Sequence, residues 1–149
     1  MAVTKSASLV SGFFVALMLA ACRSAPPDPG LQSLVDSLMA RHAAVARLSV
    51  HAPRAEGGRL ITVASSACER WGKDSDPEDA RAVATGEVIV LDEGALIDVT
   101  IPILMKNGKH TAAVGVTLRG TADRDGAVAE AKAIANEVAA AMARSAGDQ

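Results

Sequence analysis

Aromatic side chains are almost missing from this chain. Its 149 residues include two phenylalanines, one tryptophan and no tyrosine, so no aromatic platform for single-stranded nucleic acid or for sugar rings can be assembled. Cysteine is scarce as well. Cys22 and Cys68 are the only two, which excludes a disulfide scaffold and a multi-cysteine zinc site. Neither charge dominates: 15 basic residues stand against 17 acidic ones, and a nucleic-acid partner, which needs a surplus of cations, is not expected. The longest apolar run, Leu9 to Ala20, is too short to span a bilayer as a mature helix. There is no Gly-x-Ser-x-Gly elbow, P-loop or dinucleotide fingerprint, so no catalytic residue and no cofactor is assigned, and the chain is expected not to be an enzyme.

Half of the residues are hydrophobic, enough for one globular domain at this length but not for two. Lys5 precedes the apolar run, as in a signal peptide, and the run closes on Leu19-Ala20-Ala21-Cys22. This resembles the lipobox of bacterial lipoproteins. The resemblance implies that residues 1–21 are removed and that Cys22 becomes the acylated first residue, tethered to a membrane without spanning it. Arg23 stands where an aspartate often retains such proteins at the inner membrane. Outer-membrane attachment facing the periplasm is therefore expected if the source is a double-membraned bacterium. Loss of Lys5 leaves 14 basic residues against 17 acidic. With Cys22 acylated no intrachain disulfide is available, and Cys68 reads as a small buried hydrophobe.

Residues 22–30, with Pro26, Pro27 and Pro29, form an extended tether, residues 31–145 the domain and 146–149 a tail. Leu31, Leu34, Val35, Leu38, His42 and Val45 follow a helical period that predicts a helix ending near Ala46. Alternation then sets Leu48, Val50 and Ala52 against Arg47, Ser49 and His51, predicting a half-buried strand. A second strand, Arg59 to Ser65, follows Gly57-Gly58. Ser75-Asp76-Pro77-Glu78 signals a helix start, and Gly86 its end. Strands Glu87 to Leu91, Leu96 to Met105 and Lys109 to Leu118 are separated by Asp92-Glu93-Gly94 and by the hairpin signal Asn107-Gly108. A last helix carries Val128, Ala131, Ile134, Ala135, Val138 and Met142 behind the cap Asp123. This order predicts an α+β domain with helices on one face of an antiparallel sheet.

The meander Ile97-Asp98-Val99-Thr100-Ile101-Pro102-Ile103, the turn Asn107-Gly108-Lys109 and the strand Ala112-Ala113-Val114-Gly115-Val116 resemble the signature of Cache sensor domains, the extracytoplasmic branch of the PAS-like fold. The resemblance covers about residues 31–145. It implies a five-stranded sheet of order 2-1-5-4-3, a long N-terminal helix behind it, and a small-molecule pocket between the other face and a covering segment, Ser66 to Gly86. Cache domains usually drive a kinase, cyclase or receptor. No output domain is read here, so a signal would pass to a membrane protein partner.

Strand parity projects His51, Asp98, Thr100 and Thr117 from one side of that sheet, a patch able to orient a small polar ligand; a merely solvated face is the competing reading. Arg47, Arg54, Arg59, Arg70 and Lys73 suggest an anionic ligand held by guanidinium forks, against ordinary surface charge, and Trp71 is either a lid or core. Asp74, Asp76, Glu78 and Asp79 lack the EF-hand pattern and read as helix caps. His42, His51 and His110 show no metal-ligand spacing, so no metal is expected. The working expectation is a ligand-binding, sensor-like lipoprotein. The alternative is a structural or interaction lipoprotein, a homodimer or an envelope accessory that binds no small molecule, which an exposed apolar stripe on the first helix would favour.

Overall fold

Asp28 opens the first helix: its carboxylate accepts the Leu31 N–H at 2.9 Å, and Pro29 occupies the first turn, where a missing N–H costs nothing. In the computed structural model, which describes residues 25–55, 58–105, 108–120 and 123–147, the order is α1 (Pro29–Arg41), β1 (Val45–Pro53), β2 (Leu60–Ser65), a 3-10 turn (Cys68–Arg70), α2 (Pro77–Thr85), β3 (Ile89–Asp92), β4 (Leu96–Leu104), β5 (His110–Arg119) and α3 (Arg124–Gly147). The signal-like segment, Cys22, Gly57 and Asn107 lie outside the described residues.

All five strands form one antiparallel sheet of order β2-β1-β5-β4-β3. The α+β class and the expected strand order are therefore both found. Leu48 and Val50 of β1, Val99, Ile101 and Ile103 of β4, and Val114, Val116 and Leu118 of β5 all face α1 and α3, which contribute Leu31, Val35, Leu38, Ala131, Ile134, Ala135 and Val138 to a single core. The apolar stripe of α1 is buried in that core, so the exposed stripe that would favour an interaction protein is not present. The helices are not confined to one face, because α2 packs on the opposite side, over β4 and β5.

Two boundaries differ from expectation. The first helix stops at Arg41 rather than near Ala46, with His42 as its C-cap and Val45 already paired with Leu118. Cross-strand pairing with β5 overrides the local helical period there. In α2 the N-cap is Asp76 rather than Ser75, and Asp79, not Glu78, returns to it, accepting the Asp76 N–H at 3.0 Å. Gly86, at φ +74°, ends the helix as expected. Pro102 sits inside β4 but past the end of β3, whose last partner in that direction is Thr100. The strand has only one neighbour at that point, so the missing donor is tolerated.

Candidate functional site

The face of the sheet opposite the core carries the polar set. Register aligns Arg47 with Thr117, Ser49 with Gly115, Asp98 with Thr117 and Thr100 with Gly115, so period-2 alternation turns Arg47, Ser49, His51, Asp98, Thr100 and Thr117 to one side. The segment from the 3-10 turn through α2 roofs this side. Between them lies a chamber of about 20 Å³ lined by Arg47, Ser49, His51, Arg70, Asp76, Glu78, Asp79, Asp98 and Gly115, room for little more than one water or a small head group.

His51 is the centre of the arrangement. The residue is 2 % exposed; Nδ1 lies 2.8 Å from Ser75 Oγ and 3.5 Å from Asp79 Oδ2. Asp79, 3 % exposed, descends from the first turn of α2. Glycine at 115 clears the floor beneath both: a Cβ there would lie 3.6 Å from His51 Nε2 and 3.9 Å from Asp79 Oδ1. On the neighbouring strand Asp98 accepts the Thr117 hydroxyl at 2.5 Å, with an Arg47 guanidinium nitrogen at 3.8 Å. At the rim Arg70 donates to Asp76, tying the 3-10 turn to the start of α2. Behind the chamber Ser49 and Ser65 hydroxyls bond at 2.8 Å.

Burial sets the charge states. Desolvation, with a smaller contribution from the Arg70 cation, lowers His51 to about 4, so the imidazole is neutral at neutral pH. Desolvation likewise raises Asp79 to about 7, although the Asp76 N–H it accepts pulls the other way. Both shifts share the same cause, withdrawal from water.

The expected site residues are thus partly brought together. His51, Asp98 and Arg70 line the chamber, Thr117 holds Asp98 in place, and Thr100 is buried beside them at 1 % exposure. Trp71 does not line it; its indole N–H donates to the Ser65 carbonyl at 3.2 Å, which makes it a half-buried brace. The arginine set does not form an anion fork: Arg70 is engaged by Asp76, Arg59 by Asp74 at 3.1 Å and Arg47 by Asp98. Cys68 is half-buried and disulfide-bonded rather than a buried thiol. The sequence reading missed Ser75 as a partner of His51, and it took Asp79 for a cap only. Among the described residues no group of three or more His, Cys, Asp or Glu is arranged to hold a metal ion, and no helix is long and apolar enough to cross a membrane.

A larger groove of about 510 Å³ opens at the far end of the domain, between the start of α1 and the end of α3, lined in part by Leu31, Val63, Met105 and Met142. Its size suits a small molecule, but of the polar residues expected at a site it gathers only Arg54.

A five-stranded sheet of this order, roofed by a short helix over a polar face, defines a PAS-like fold. Several solved structures share the fold. The GAF domain of an Acinetobacter phosphoenolpyruvate-protein phosphotransferase superposes with a TM-score of 0.59 at 13 % identity, over 84 % of this chain and 87 % of its own. A type II free methionine-R-sulfoxide reductase from Thermoplasma acidophilum gives 0.52 at 13 % identity, over 74 % and 88 %. Likeness at that identity establishes architecture alone. No protein-family model and no curated protein sequence matches the chain.

Proposed function

We propose that this protein is a sensor-like domain that binds a small polar ligand beneath α2, without catalysis, and that an acylated Cys22 tethers it to the periplasmic side of the outer membrane. The observation that carries the binding reading is the convergence of two nearly water-free titratable side chains, His51 and Asp79, over a glycine in a roofed chamber. Burying such groups costs stability unless something compensates, and a ligand that hydrogen-bonds them would supply that compensation. The chamber as it stands admits only part of a metabolite, so binding requires α2 to lift or the ligand to lie across the rim at Arg70 and Glu78. The extracytoplasmic, Cache-like part of the reading rests on the Pro102 and Gly115 strand motif and on the lipobox. Signalling would pass to a membrane protein partner.

A thermal-shift screen of the mature chain against small carboxylates, amines, amino acids and purines tests the binding reading. A true ligand at 100 times its dissociation constant adds about 2.7 kcal/mol, and the same ligand should lose its effect on His51→Ala. A screen without any hit would overturn it.

A further inference from the structure

Resting on the binding reading just given, we infer that the chamber between His51, Asp79 and Gly115 takes a cation, the protonated amino head of a small ligand, rather than the anion that the surrounding arginines suggest.

The argument starts from which charges are already spent. Arg70 is bonded to Asp76, Arg47 stands against Asp98, and Arg59 is paired with Asp74 outside the chamber. The lining therefore holds two guanidiniums, each with its own carboxylate, and two further carboxyl groups, Glu78 and Asp79, that no cation engages among the described residues. An anion entering here would have to break an existing ion pair and face the surplus carboxylates. A cation meets them directly.

Hydrogen-bond polarity points the same way. His51 Nδ1 lies between two oxygens, Ser75 Oγ at 2.8 Å and Asp79 Oδ2 at 3.5 Å. The neutral ring is best satisfied with its proton on Nδ1, directed at the Asp79 carboxyl oxygen, and this leaves the Nε2 lone pair over Gly115. Asp79 Oδ1 approaches the same spot. Two buried acceptors, with Ser49 and Asp98 on the neighbouring walls, form a receptor for a donor that carries positive charge. A primary ammonium has three N–H bonds and is small enough for a space of about 20 Å³.

The test uses the mature chain and methylammonium chloride, with potassium chloride and sodium acetate at equal concentration as controls, read by amide NMR. Methylammonium should shift the Gly115, His51 and Asp79 amides saturably, and the two control salts should not. In Gly115→Ala the added methyl lies at ordinary contact distance from His51 and Asp79, so the variant should keep the wild-type unfolding temperature yet lose saturable binding. Asp79→Asn removes the carboxyl group that can ionise against a bound ammonium and should weaken binding about tenfold or more. Saturation by acetate instead, unchanged binding by Gly115→Ala, or no saturable shift because a water alone fills the space would each overturn the inference. If methylammonium fails while an uncharged or anionic compound from the screen shifts those amides, the binding reading stands and only the cation assignment falls. If nothing shifts them, both fall.

Discussion

His51 and Asp79 exchange a proton on folding. In the unfolded chain at pH 5 the imidazole, with its ordinary value of 6.5, holds the proton and the carboxyl, at 3.8, does not; in the folded chain His51 at about 4 has given it up and Asp79 at about 7 has taken it. Between pH 4 and 6.5 the two states bind equal numbers of protons at this pair, so its contribution to the slope of stability against pH vanishes. Single substitutions unmask the halves. Asp79→Asn leaves the depressed His51, whose contribution is present above pH 6.5 and is lost as pH falls through 4, by about 3 kcal/mol at most. His51→Gln leaves the raised Asp79, whose contribution is full below 3.8 and is lost as pH rises through 7. Urea unfolding across this range, taken as the difference from wild type, should give slopes of opposite sign; slopes of the same sign would refute the exchange. Close by, Thr62 is fully buried and its hydroxyl has no hydrogen-bond partner among the described residues. Thr62→Val should therefore raise the urea midpoint, by about 1 kcal/mol in stability. Alternation alone was enough to put His51, Asp98, Thr100 and Thr117 on one side, because that information is local. Asp79 and Ser75 were not legible as site residues, since their approach to His51 depends on how a distant helix settles on the sheet. The capping spacing was the one signal that Asp79 turns inward.

At the scale of elements, α2 decides whether the polar face is roofed, and its ends are defined by a pair of residues at the start and one at the stop. Asp76 and Asp79 lock the start, while Gly86 at φ +74° lets the chain turn back toward β3 with its Cα against the His110 ring, where a Cβ would lie 2.7 Å from Cε1. Gly86→Ala meets both a left-handed backbone and a collision. Gly94, at φ +76° in the β3–β4 turn, has nothing within 4 Å of the same added atom. Gly94→Ala should therefore cost the backbone penalty alone, about 1 to 2 kcal/mol, and Gly86→Ala clearly more, with loss of any ligand response because the roof is displaced. Equal losses in urea unfolding would show that the His110 ring moves aside. The stop at Gly86 was readable because αL geometry selects glycine wherever it occurs. The stop of α1 was not: the helical period runs on through Val45, and only pairing with Leu118, 73 residues downstream, claims that residue for β1.

For the whole molecule, the count and order of strands along the chain followed from turn chemistry, but their order across the sheet did not. The β1–β5 pairing joins residues 45–51 to 113–118, and no local pattern encodes it; the resemblance to a known sensor fold supplied it. The proposed attachment of the molecule is a matter of one sulfur. Cys68 is disulfide-bonded, and Cys22 is the only other cysteine in the chain. An intrachain bridge and an acyl anchor at Cys22 would use the same atom, so the two exclude each other. The two fates separate by experiment. Produced in a bacterium that processes lipoproteins, the wild-type chain should partition into a detergent phase and show an acylated N-terminal cysteine by mass spectrometry. Cys22→Ser should move to the aqueous phase while keeping the fold, because the core between the sheet, α1 and α3 is built without Cys68, the cysteine that a bridge would tie to it. A wild-type chain that stays aqueous with both sulfurs protected from maleimide would refute the anchor and leave the bridge. Burial of each lipid methylene contributes about 0.8 kcal/mol, so two or more acyl chains would hold the domain at the membrane whatever the chamber beneath α2 contains.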